Sequence, residues 1–234
     1  MDKTYFKGML NITKQLKAIN FPEGNDIAMY IMEENKTKLE LSETEIETAK
    51  YILELICAND DAKMHPGQIA YGICSEGEEI KKVYKFLLEM GYSNEQLQTF
   101  YSKNQSAFCY KCIELKKQFE YLKDVGLSHE QVLDLFLETI YLGYNETKRR
   151  CETVLKYFDV QMIYVLGKKY LFYGYYTDPV ECIEYVVNQL GIKKAKAILL
   201  EQDMLLYLWK EKYERGDWTH GPQHLEALEL ISKY

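Results

Sequence analysis

The sequence feature that most constrains the fold is an internal echo. The segment Lys81–Tyr101, KKVYKFLLEMGYSNEQLQTFY, returns without a gap 35 residues later as Lys116–Phe136, KKQFEYLKDVGLSHEQVLDLF. Seven of the 21 aligned positions are identical: Lys81/Lys116, Lys82/Lys117, Leu87/Leu122, Gly91/Gly126, Ser93/Ser128, Glu95/Glu130 and Gln96/Gln131. Tyr84/Phe119, Met90/Val125 and Leu97/Val132 keep their character. The matches carry a physical instruction. Gly91 and Gly126 lie just past an apolar helical stripe, where a left-handed residue ends a helix. Ser93-x-x-Gln96 and Ser128-x-x-Gln131 then read as capping boxes that start the next helix. Each unit is therefore expected to run helix, sharp turn, helix.

Fainter copies flank this pair. Val154, Tyr157 and Val160 continue the stripe, with Gln161 where the glycine stood, and a Leu-Gly-Ile turn recurs at Gly191. Asp178-Pro179 is a helix start with proline at the first helical position. Ser42-x-x-Glu45 and Ser75-x-x-Glu78 open two further helices. Only 4 prolines in 234 residues also favour helices over strands and turns. A unit of about 35 residues cannot bury its apolar face alone, so neighbours must stack. The expected fold is all-α, a curved helical-repeat solenoid. Residues 1–40 form an N-terminal helical cap split at Phe21-Pro22-Glu23-Gly24. Residues 41–214 form the array. Residues 215–234 form a C-terminal capping helix that begins at Pro222.

A short compact turn follows the second helix of each unit, as at Lys103–Phe108 and Glu138–Gly143, and later at Lys168–Tyr173 and Gln202–Tyr207. The whole pattern, helix–Gly–Ser-x-x-Gln–helix–short turn, resembles the repeats of the mitochondrial transcription termination factor family over about two-thirds of the chain. That resemblance implies helical triplets with a short third helix, stacked into a curved solenoid that binds nucleic acid. The chain departs from the family in three ways. Gln105, Ile140, Tyr170 and Met204 stand where proline is usual, the chain is acidic rather than basic, and no transit peptide is visible.

Charge sets out the candidate partners. Residues 1–80 hold 8 Lys and 15 Asp/Glu, whereas residues 81–234 hold 21 Lys/Arg and 21 Asp/Glu, so all of the net charge of −7 lies in the first third. In the repeats a basic track is expected: Lys81, Lys82, Lys116, Lys117, Lys148, Arg149, Arg150, Lys193 and Lys194. Stacking would bring the first two pairs into register on a concave face, with Tyr84 and Tyr121 placed to stack bases. Acidic neighbours Glu78, Glu79 and Glu114 dilute that track. The acidic third, with Glu33, Glu34, Glu40, Glu43, Glu45 and Glu47, is the alternative surface. It is solubilising in the ordinary case, or a dock for a basic protein partner.

Catalysis has little to stand on. There are 4 histidines, and no G-x-S-x-G, phosphate-binding glycine loop or H-E-x-x-H occurs. Cys109-x-x-Cys112 with His220-x-x-x-His224 has the ligand types for zinc, but Gly221 and Pro222 separate the histidines and Cys112 suits a small core position. No metal or cofactor is assigned. The 6 cysteines are expected to be reduced and mostly buried. No signal peptide or apolar run of ~18 residues is visible, so a cytoplasmic chain with no membrane partner is expected. The reading is a non-catalytic helical-repeat binding protein for nucleic acid, DNA or RNA. The alternative is a protein–protein interaction module, adaptor or inhibitor, that uses the acidic third and the tyrosine-rich surface.

Overall fold

A computed structural model describes residues 3–56, 64–75, 77–173, 178–209, 211–214, 217–220 and 222–234. The packed body is helical, as the capping signals and apolar stripes require. Contacts divide it into two units, Met1–Ile113 and Glu114–Tyr234. This division falls elsewhere than at residues 40 and 214. No helix among the described residues is long and apolar enough to cross a membrane.

The first unit contains α1 (Lys3–Ala18), α2 (Gly24–Glu34), α3 (Glu43–Ile56), α4 (Pro66–Ser75), α5 (Gly77–Met90) and α6 (Asn94–Lys103), then a 3-10 turn, Gln105–Cys109. The chain breaks between α1 and α2 at the expected Phe21–Gly24 segment. There Asn20 and Glu23 both adopt positive φ, 58° and 51°. Ile12 and Leu16 of α1 pack against a core that includes Ile27, Ile31 and Met32 of α2, all buried. Gly8 allows α1 to approach closely, since a Cβ there would lie 2.1 Å from the Lys38 carbonyl oxygen. The Gln15 amide clamps the following loop, donating to the Leu41 carbonyl (3.0 Å) and accepting from the Leu41 N–H (2.8 Å). These contacts tie residues 1–40 to the helices after them. Ser42 opens α3 as anticipated: its N–H donates to Glu45 at 2.8 Å, and the Glu45 N–H donates to its hydroxyl at 3.3 Å. Ser75 instead ends α4.

The second unit takes α7 (Cys112–Asp124) from Glu114 onward. It continues with α8 (His129–Thr139), a 3-10 turn at Ile140–Leu142, α9 (Gly143–Tyr157), α10 (Val160–Lys169), α11 (Pro179–Glu201), α12 (Leu205–Leu208) and α13 (Pro222–Ser232). Asp178 caps α11 through the Val180 and Glu181 N–H groups. Gly191, at φ 74° and ψ 162°, breaks α11 into two helical stretches. Between α12 and α13 the chain forms a short two-stranded ribbon. Its strands β1 (Glu211–Glu214) and β2 (Asp217–His220) pair antiparallel.

The two copies of the echoed segment adopt the same local structure in their separate units. Gly91 and Gly126 have φ of 116° and 101°. Ser93 and Ser128 each form a complete capping box with Gln96 and Gln131. Each second helix ends in a 3-10 turn. Equivalent rings also meet: Tyr84 and Tyr101 have centroids 6.2 Å apart, and Phe119 and Phe136 5.1 Å. The substitution at the inner ring has a consequence. Tyr101 is fully buried, stacked on Phe108, and its hydroxyl has no hydrogen-bond partner. Phe136 has no hydroxyl to satisfy.

Candidate functional site

Lys81 and Lys82 belong to the first unit, and the other seven residues of the expected basic track to the second. Most are neutralised locally. On α5 the Lys81 ammonium lies 3.3 Å from Glu78, and that of Lys82 2.8 Å from Glu79. The Lys82 ammonium and the Cys112 N–H together hold the Glu79 carboxyl below its usual range. On α7, Lys117 lies 2.9 Å from Glu114. On α9, Lys148 faces Glu152 at 3.7 Å, and Arg149 forks between Glu146 (2.7 Å) and Asp178 (3.2 Å). Lys194 donates to the Tyr234 carbonyl at 2.7 Å. Lys116 and Lys193 are exposed.

Arg150 corrects the surface track. It is 3% exposed, and its guanidinium is spent on Glu146 (2.7 Å) and on the carbonyls of Leu171 (2.7 Å) and Tyr173 (3.3 Å). Successive residues on a helix point about 100° apart, so the third cation of Lys148-Arg149-Arg150 turns inward while its neighbours stay at the surface. Tyr84 and Tyr121 are likewise not free stacking platforms. Tyr84 packs edge-on against Tyr51, and its hydroxyl donates to Asn94 at 2.8 Å. Tyr121 packs edge-on against Tyr144.

Unneutralised charge lies instead on the first two helices. On α1, Lys3, Lys7, Lys14 and Lys17 share a face of roughly 100° with Phe6 and Leu10. All six are exposed, Phe6 by 46% and Leu10 by 42%. The helix contains no acid, and none of its lysines has an ion-pair partner among the described residues. The outward face of α2 has the opposite sign: Asp26, Met29, Tyr30, Glu33 and Glu34 are exposed, and the helix contains no base. Neither Glu33 nor Glu34 is ion-paired among the described residues, nor are Glu40 and Glu43 beyond them.

A cleft of about 360 Å³ borders the acidic face. Tyr30 of α2 and Tyr71 of α4 form its walls, both about two-fifths exposed, and the buried Ile31 and Ala70 lie at its base. Gly67 makes room for the Tyr30 ring, because a Cβ there would come 3.3 Å from it. Lys38 and Glu45 close one end as an ion pair at 2.9 Å. Burial opposes the Glu45 charge, but the Lys38 and Ser42 donors outweigh it and hold the carboxyl below its usual range. Cys74 also lines the cleft. Burial of its thiol, followed by the Glu45 charge, pushes it up to about 12, which suppresses the reactive thiolate. The cleft thus offers aromatic walls, carboxylates at its rim and no activated nucleophile among its described residues.

Neither cysteine of the C-x-x-C pair is in a disulfide, and Cys112 is buried with its thiol facing the Lys82 carbonyl. No group of three or more metal-ligating side chains occurs among the described residues, and the His220 side chain lies outside them. His224 is buried with its ring 4.2 Å from that of Trp209.

Sequence reasoning named Glu33 and Glu34 but missed the two tyrosines and the whole α1 face. The signal for α1 was present: four lysines and no acid within 16 residues, spaced for one side of a helix. No protein-family model matches the chain, and comparison with curated proteins and with solved structures yields no match either.

Proposed function

We propose that the chain is a non-catalytic, helical-repeat protein-interaction module that docks its partner on the first unit. The carrying observation is the cleft between α2 and α4, where Tyr30 and Tyr71 stand exposed beside the unpaired carboxylates Glu33 and Glu34. Exposed aromatics next to uncompensated charge favour a protein ligand with a large apolar side chain and basic flanks. The repeat reading is supported by the matched junctions at Gly91–Gln96 and Gly126–Gln131. Within the second unit it is supported by ion pairs and hydrogen bonds that join residues about one repeat apart, such as Lys168 to Asp134 and Gln131 to Gln161.

Binding of nucleic acid through the nine track residues has less support, because a phosphate must displace an acidic neighbour from most of those cations. The test is a calorimetric titration of the full chain with a lysine-rich probe peptide carrying one phenylalanine, and in parallel with a single-stranded oligonucleotide. The peptide is expected to bind, and roughly tenfold more weakly to Glu33→Lys/Glu34→Lys, as charge reversal at a docking rim implies. Oligonucleotide binding that is lost on Lys116→Glu/Lys117→Glu, with no peptide binding, would overturn the proposal.

A further inference from the structure

The outward face of α1 combines two kinds of side chain. At about 100° per residue, Phe6 and Leu10 are neighbours one turn apart, Lys17 falls between them in direction, and Lys3, Lys14 and Lys7 follow within roughly 60° of Leu10. Half-buried Met9 extends the apolar side. Lys3 and Lys17 stand roughly 20 Å apart along the axis, so the charge runs the length of the helix. The helix α10 also carries lysines and no acid, but its Lys168 and Lys169 are paired with Asp134 and Asp203 of other segments. The α1 lysines have no such partner among the described residues. Nor can the helix roll to hide this face, because its other side is locked. Ile12 and Leu16 are fully buried, Gly8 abuts the Lys38 carbonyl, and Gln15 holds the Leu41 backbone.

We propose that the α1 face seats the chain on an anionic lipid bilayer, as a peripheral contact with one leaflet. Such a contact needs no span, so the lack of a membrane-crossing helix among the described residues does not bear on it. Lysine stems lie along apolar surface while their ammonium groups reach headgroup phosphates and carboxylates. Phe6 and Leu10 then enter the boundary between headgroups and acyl chains, where the apolar side chains of interfacial helices sit. The two parts work together: a small apolar insertion holds only weakly, and a basic cluster beside it adds attraction to the negative leaflet. Nucleic acid fits the face less well, because its phosphates would pair with the lysines but Leu10 has no flat ring on which a base could stack. The acids of α2 do not oppose the contact. The helices α1 and α2 pack through their buried sides, so Asp26, Glu33 and Glu34 are turned away from the α1 face. None of the residues that line the Tyr30–Tyr71 cleft belongs to α1, so this inference does not rest on the docking reading.

The experiment is co-sedimentation of the full chain with vesicles of phosphatidylcholine alone, and with vesicles in which a third of the lipid is phosphatidylserine. In low salt the chain is expected to bind the anionic vesicles at least about tenfold more tightly than the neutral ones. It should be released at about 1 M salt, where the screening length shrinks to ~3 Å. Lys7→Glu/Lys14→Glu should weaken binding by at least about tenfold, with Lys7→Gln/Lys14→Gln between it and wild type. Phe6→Ser/Leu10→Ser, which keeps all four lysines, should weaken it by about fivefold. All four positions are exposed, and each variant should keep the wild-type circular dichroism. No binding to anionic vesicles, or equal binding to both kinds, overturns the proposal. Anionic binding that no variant weakens places the contact elsewhere and overturns it too. Binding that needs the lysines but ignores Phe6→Ser/Leu10→Ser makes the face a general anion surface and overturns the bilayer assignment. A single-stranded oligonucleotide that binds through Lys7 and Lys14 while vesicles do not would give the face to nucleic acid instead.

Discussion

The two units handle charge differently. In the second unit, cations are knitted to acids of neighbouring helices: Arg149 to Asp178, Lys156 to Glu184, Lys168 to Asp134 and Lys196 to Asp159, at 2.8–3.2 Å. On the first two helices of the first unit they are separated by helix, lysines on α1 and carboxylates on α2, whereas Lys38, Lys81 and Lys82 further along that unit are paired. Knitted charges serve the unit that holds them. Separated charges are left for something outside it, and this difference locates the interaction surface better than a count of lysines does.

The sharpest way to break the comparison is at Arg150. Its replacement by methionine strands the carbonyls of Leu171 and Tyr173 and leaves the half-buried Glu146 with Arg149 as its remaining cation. It should cost the second unit about 3–5 kcal/mol, the usual result of removing one member of a buried charged network. Urea unfolding of the full chain would read this, and a loss below ~1 kcal/mol would mean that the guanidinium is not a structural tie.

Tyr101 and Phe136 are aligned in the two echoed segments, yet only Tyr101 buries a hydroxyl without a partner. Tyr101→Phe should therefore stabilise the first unit by about 1–2 kcal/mol, the desolvation cost of such a group. Thermal denaturation would show a raised midpoint. A lowered one would point to a contact that the hydroxyl makes.

The capping boxes are where the units agree. Ser93→Ala and Ser128→Ala should each cost about 1 kcal/mol, and nearly equally. Unequal losses would weaken the equivalence of the two copies.

The smallest effect is in acid. Burial opposes the charge of both Glu45 and Glu146, and donors from Lys38 and Ser42, or from Arg149 and Arg150, hold both below the usual carboxylate range. A lowered folded-state pKa stabilises fully above the unfolded value, near ~4.3, and that contribution is lost as the pH falls through the folded value. Glu146→Gln should thus be less stable than wild type at neutral pH, with the gap closing as the solution is acidified. A gap that is independent of pH would deny the linkage.

How much of this was legible in the sequence follows from which interactions are local. The glycine turns and Ser-x-x-Gln boxes are set within a few residues, so Gly91, Gly126, Ser93 and Ser128 behave as their spacing dictates. The pairing of Lys81, Lys82 and Lys117 with acids three residues earlier was legible for the same reason. Arg150 was not, because its inward turn depends on carbonyls 21 and 23 residues away. Nor was the cleft, whose walls come from Tyr30 and Tyr71, on different helices with α3 between them in sequence. The α1 face was readable from its spacing, but its significance appears only once most cations of the expected track are seen to be paired.

The most direct test of the central claim is a residue-by-residue map of backbone amide shifts in the isotope-labelled full chain as the lysine-rich phenylalanine peptide is added in low salt. The account predicts shifts confined to α2 and the adjoining rim of α4, abolished by Glu33→Lys/Glu34→Lys. Shifts centred on Lys116, Lys117 and Lys148, with α1 and α2 unmoved, would contradict it.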